Sequence, residues 1–161
     1  MPTGSTSSHR FLESLPERQR VQLEAIATRR HWPPGALLFQ EGHEHENIYL
    51  LLCGHVRLDM LVPDRGRTAL LTVGPGDLVG WSPLTGAQTM TATAMALEPT
   101  QALAFNGTRL RDACTEDHEL GYYVMRQIVI TLSERLLSTR LQLLDLFRGH
   151  EPRASSAPDL C

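Results

Sequence analysis

The sequence predicts a mainly-β fold with flanking helices: a sandwich or barrel of short strands followed by a long C-terminal helix. Three observations predict it. Between Ala36 and Phe105, short apolar runs recur at near-regular spacing, each bounded by turn residues. That texture suits a sandwich or barrel better than alternating strand–helix units. On either side the apolar spacing changes to a helical one. Finally, 161 residues with 42% hydrophobic and 20% charged side chains suffice for one core and are too apolar for a disordered chain.

Taken in order, residues 1–8 (MPTGSTSS) are small and polar and read as a disordered lead-in. The folded unit is expected over 9–147. Its first part, 9–29, carries Phe11, Leu12, Leu15, Val21, Leu23 and Ile26 at helical spacing, with Pro16 dividing a first turn from the main helix. Trp32-Pro33-Pro34-Gly35 ends it. The strand region, 36–105, comprises the runs Ala36–Phe39, Ile48–Leu52, His55–Val62, Thr68–Val73, Thr91–Leu97 and Thr100–Phe105. Within it, Gly80–Gly86 reads as a tight turn with one helical turn. The C-terminal helices, 108–147, begin with a short one from Thr108 to Cys114, capped by Asn106 or Thr108. A longer one runs from Thr115 to Phe147, where Met125, Val129, Leu132, Leu136, Thr139, Leu143 and Leu146 step by 4, 3, 4, 3, 4 and 3. Such spacing fits a coiled-coil seam, interrupted by the single hydroxyl of Thr139, and it also suits a helix packed on its own domain. Residues 148–161 form a polar tail.

Charge and cysteine usage remove several classes of function. The formal net charge is −3, which exerts no general pull on nucleic acid or anionic membrane. All fifteen cations are Arg, so neither a Schiff-base lysine nor a phosphate-loop lysine exists. Cys53, Cys114 and Cys161 are too few and too scattered for a zinc or iron–sulfur site, and they suit reduced thiols in a cytoplasm. No apolar run reaches transmembrane length, so no membrane partner is expected.

Candidate chemistry is sparse. His43 and His45 would share one face of a strand and could chelate a metal, as in a cupin-like metalloenzyme. A carboxylate some four residues on and a distant His are missing, since Tyr49 and Leu50 stand there, so solvated loop residues are expected instead. Gly80-Trp81-Ser82-Pro83-Leu84 lacks the second glycine of a nucleophile elbow. Cys114 reads as packed rather than reactive. His31, His55 and Cys53 are of haem-ligand type, but no spacing among them marks an axial ligand. No catalytic residue, metal ligand or certain cofactor emerges, and no enzyme is predicted. The loop from Gly74 to Pro83 is glycine-rich, and a helical turn after it would aim N–H groups at an anion; a purely structural turn is the plainer account.

The order of elements carries a resemblance. Pro-Pro-Gly-Ala-Leu-Leu-Phe-Gln-Glu-Gly followed by Ile-Tyr-Leu-Leu-Leu-Cys-Gly-His-Val-Arg-Leu resembles the opening of a cyclic-nucleotide-binding domain. Leu-Leu-Thr-Val-Gly-Pro-Gly-Asp-Leu-Val-Gly-Trp resembles the approach to that family's phosphate-binding cassette, and Ser-Glu-Arg-Leu-Leu-Ser-Thr-Arg is similar to the dimerising helix of the Crp/Fnr regulators. The resemblance implies an antiparallel, jelly-roll-like β-roll with a C-terminal dimerisation helix. It also implies a ligand site at Gly80, Trp81, Ser82, Pro83 and Leu84, completed by Met90, Thr91 and Ala92, with Ser138 and Thr139 near the adenine-facing hydroxyls.

The family's ligand logic transfers only in part. Where the cassette normally has Glu for the ribose, this chain has Trp81; where it has Arg for the cyclic phosphate, this chain has Met90. Arg67 is the nearest spare cation upstream. The expectation is a regulatory or sensor module that takes a cyclic nucleotide weakly, or a less charged small ligand, and signals through a homodimer helix. The alternative is a ligand-free homodimeric scaffold. Only a mostly polar stretch of fourteen residues follows Phe147, so a stand-alone module without direct DNA binding is expected.

Overall fold

A computed structural model describes residues 8–148. Of the expected lead-in, 1–8, only Ser8 is described; of the expected tail, 148–161, only Arg148. The helices α1 (Ser8–Ser14) and α2 (Glu17–Ile26) are separated at Pro16. Proline lacks an N–H but loses nothing at a helix start, where that donor has no partner in any case.

The expected first helix, 9–29, is too long. The chain leaves α2 at Ile26, and Thr28–Trp32 forms a strand, β1. Its partner is β8 (Thr100–Asn106), with Thr28 opposite Ala104 and Trp32 opposite Thr100. Four of its five side chains are exposed, because β1 is the edge of its sheet. An Arg-Arg-His edge needs no inward-facing hydrophobes and shows no alternation in sequence.

The remaining strands are β2 (Leu37–Phe39), β3 (Asn47–Cys53), β4 (Val56–Val62), β5 (Gly66–Val73), β6 (Leu78–Val79) and β7 (Thr93–Ala96). They form two four-stranded antiparallel sheets, ordered β1-β8-β3-β6 and β2-β7-β4-β5. The two-residue β6 has no periodicity to display, yet Leu78 and Val79 pair with Leu50 and Tyr49.

Strand β3 explains how the layers stack. Tyr49 and Leu51 join β2, β4 and β7 residues in a core between the sheets. Ile48 and Leu50 point the other way, into a second core with the helices, where they meet Leu23, Leu110, Leu120 and Val124. Buried on both faces, β3 is a continuous apolar run rather than an alternating one. Leu50 and Leu51 are fully buried, and such burial contributes about 1.5–3 kcal/mol for each side chain.

After β8, Asn106 caps α3 (Gly107–Glu116): its side-chain oxygen accepts from the Arg109 N–H at 3.1 Å. The next break falls at Asp117, later than the expected end at Cys114. The Asp117 carboxylate accepts from the Glu119 and Leu120 N–H groups at 3.1 and 3.2 Å, which opens α4 (His118–Arg148). The chain divides into two compact units, one ending at Ile128 and one beginning at Val129. Among the described residues, no helix is long and apolar enough to cross a membrane.

Candidate functional site

The approach to the candidate site is a turn that satisfies itself. The Gly74 N–H donates to the Asp77 carboxylate at 2.8 Å, the Asp77 N–H returns to the Gly74 carbonyl at 3.1 Å, and the Gly76 N–H reaches the Leu51 carbonyl at 2.8 Å. These donors are spent within the fold, so this stretch offers them to no anion. Gly80 then turns the chain at φ +75°, and a Cβ there would stand 2.9 Å from the Phe39 ring. Glycine is required at this position for backbone conformation and for space.

A four-residue 3-10 helix, Ser82–Thr85, follows. Its Leu84 N–H donates to the Trp81 carbonyl at 2.9 Å, and Pro83 has none to give. The turn is thus a poorer anion cradle than the glycine-rich sequence suggests. Leu84 is buried in the core beneath the helices, whereas Trp81, Ser82 and Pro83 are half-buried.

Met90 occupies the position where the resemblance implies a cation. Its neighbourhood is fixed by a short antiparallel pairing: the Gly42 N–H donates to the Met90 carbonyl at 2.8 Å, and the Met90 N–H to the His43 carbonyl at 3.0 Å. This pairing turns Met90 inward, where it is 3% exposed among Phe39, Tyr49, Val79 and Ala94. Thr91 is exposed and Ala92 half-buried. Gly80 lies against the Phe39 ring, and Met90 is buried in the same apolar core cluster as that ring. Arg67 lies elsewhere, exposed on β5 opposite Leu61, close to the β4–β5 turn.

On α4, Ser138 and Thr139 donate to the Glu134 and Arg135 carbonyls at 3.1 and 2.9 Å, so each hydroxyl is turned onto its own helix. The seam residues Met125, Val129, Leu132, Leu136, Leu143 and Leu146 are all exposed, from 43% at Leu132 to 67% at Leu146. Thr139 is exposed beside them.

The other candidates separate by environment. His43 lies in the turn before β3, while His45 has its ring centroid 5.5 Å from those of both Phe39 and Tyr49. Burial holds the His45 imidazole below its ordinary value, against the opposing pull of Glu46. Among the described residues no three His, Cys, Asp or Glu side chains gather as metal ligands would. His31 is exposed on β1, Cys53 is exposed, and His55 pairs with Glu98. Burial, with Asp117 nearby, pushes the half-buried Cys114 thiol up, away from the thiolate that reactivity requires. Sequence reasoning missed a polar cavity between the 44–47 segment and α3. No motif announces it, because its walls are joined only by tertiary contacts.

Comparison with known proteins agrees with this architecture. A curated relative, the CRP-like cAMP-activated global transcriptional regulator of Mycobacterium tuberculosis, is 28% identical over 116 residues, covering 71% of this chain and 50% of its own. The chain thus spans about half the length of the curated relatives it matches. Among solved structures, a putative cyclic nucleotide-binding protein from Geobacter metallireducens GS-15 is 29% identical with a TM-score of 0.69, covering 79% of this chain and 92% of that one. A cyclic nucleotide-binding domain from Methylobacillus flagellatus KT shares the fold at a TM-score of 0.79 and 17% identity, over 96% of this chain and 85% of that one. Residues 29–117, more than half the chain, match the family described as the cyclic nucleotide-binding domain. With its two antiparallel sheets, its cassette turn after β6 and its long α4, this chain belongs to the cyclic nucleotide-binding domain family.

Proposed function

We propose that the protein is a non-enzymatic, cytoplasmic regulatory module that acts as a homodimer through α4, and that its cassette has given up recognition of a cyclic phosphate by charge. The observation that supports this reading is Met90: an uncharged side chain, 3% exposed, stands where the resemblance implies the phosphate-binding cation. Trp81 stands where the resemblance implies the second charged group, the ribose-binding carboxylate. Each charge-assisted hydrogen bond lost costs about 1.5–3 kcal/mol, or roughly ten- to a hundred-fold in affinity. Two such losses carry a micromolar binder to about millimolar.

A ligand at Gly80–Leu84 and Met90–Ala92 is then a less charged, more apolar molecule than a cyclic nucleotide. Its binding would be relayed through α4, with Thr139 in the seam and Ser138 next to it in the chain. The ligand-free scaffold is a second reading, and the same observation favours it, because a Met90 that packs this closely also closes the interior.

A thermal-shift series on the full chain separates the readings. It compares cyclic AMP, cyclic GMP and a panel of uncharged apolar metabolites, each at millimolar concentration. A ligand at about a hundred times its dissociation constant adds roughly 2.7 kcal/mol, a visible rise in midpoint. The sensor reading predicts a shift with an uncharged compound and none with the cyclic nucleotides. Flat curves throughout favour the scaffold, and a clear shift with cyclic AMP contradicts both.

A further inference from the structure

One cavity lies outside the cassette interior. It measures about 510 Å³ and is lined by three stretches: residues 44–47, the segment from Pro83 to Gln88, and the first turns of α3. Pockets that take small molecules measure roughly 300–1,000 Å³. Backbone contacts fix the walls. The Gly107 N–H donates to the Glu46 carbonyl at 2.8 Å, and the His45 N–H to the Gln88 carbonyl at 3.1 Å. Gly107 permits the approach, since a Cβ there would stand 2.5 Å from that of Pro83.

The lining charges are of both signs and come from different walls. Arg111 projects from α3, with Nη1 only 3.6 Å from where a Cβ on Gly86 would lie. Glu44 and Glu46 belong to the facing segment. Among the described residues no ion pair joins Arg111 to either carboxylate. His45 also belongs to the lining, with its ring packed against Phe39 and Tyr49 and its Nε2 buried.

We propose that this cavity binds a small zwitterion of the amino-acid or dipeptide class, its carboxylate on Arg111 and Thr108 and its ammonium group on Glu44 and Glu46. A simple anion would face two carboxylates, and a simple cation would face the guanidinium; a molecule with both charges satisfies both walls. The site touches Pro83 and Gly86 of the cassette turn, and its charged groups, Arg111, Glu44 and Glu46, are all exposed and outside the core between the sheets. It therefore stands whether or not the cassette takes a ligand.

The test is amide NMR of the full chain, with four probes each at about 10 mM: a mixture of the proteinogenic amino acids, glycylglycine, sodium acetate and ethylammonium chloride. The proposal expects saturable shifts at Gln88, Thr108 and Arg111 with the amino acids or glycylglycine, and none there with acetate or ethylammonium. Arg111→Gln and Glu44→Gln, both at exposed positions, should each weaken the response about ten-fold while the spectrum stays folded. The proposal is overturned if neither zwitterionic probe saturates at these amides, if acetate or ethylammonium alone reproduces the shifts, or if both variants respond as the parent does.

Discussion

Gly80 and Met90 show how much one residue can decide. Gly80 was legible as a turn glycine, but its purpose was not: only the packing shows that the Phe39 ring occupies the space of a Cβ. Gly80→Ala should cost about 1–3 kcal/mol in urea denaturation, from strain at positive φ and displacement of that ring. A change within ~0.5 kcal/mol would contradict the crowding. The identity of Met90 was readable, whereas its inward direction was not, because that direction depends on pairing with residues 42–45 about forty-five positions upstream. Asp117 offers a pH test. Two backbone hydrogen bonds, the Gln22 side chain and Arg18 hold its carboxyl below the usual carboxylate range. The stability it contributes is therefore complete above the unfolded value of about 3.9 and is lost as pH falls through the lower folded value. Asp117→Ala should lower the thermal midpoint at pH 7, with the gap to the parent narrowing below pH ~3.9. An equal gap at both ends would contradict the assignment.

At the scale of elements, strands bounded by turns announced themselves and those without side-chain signals did not. Strands β3, β4 and β8 carry enough inward-facing residues to be read directly. Strand β1 pairs with β8 and carries Arg29, Arg30 and His31 towards solvent, with only Trp32 turned onto Tyr49, so it shows no alternation to set it apart from the preceding helix. Strand β6 is too short for any period to show. Helix α4 is the opposite case: its seven-residue repeat is explicit, and the apolar seam members are each at least 43% exposed in the single chain. Exposure of that many apolar side chains along one helix face is costly in water and favours a partner helix. Leu136→Glu with Leu143→Glu should leave the β-roll folded and convert a dimer to a monomer in sedimentation equilibrium. A double variant that remains dimeric would place the interface elsewhere.

For the whole molecule, the family and the double-sheet architecture were legible because glycines and short strands follow one another in a recognisable order. The site was less so. The resemblance implied which charged groups are replaced, while the structure added that Pro83 and Leu84 further reduce the donors of the cassette turn and that a polar cavity lies beside it. The protein is thus proposed to retain the fold without the family's phosphate-recognising charges. Calorimetric titration of cyclic AMP into the purified full chain tests that claim most directly. The predicted result is no saturable heat below about millimolar nucleotide. A stoichiometric isotherm in the micromolar range would contradict it, and would mean that backbone and hydroxyl contacts alone suffice to hold the cyclic phosphate.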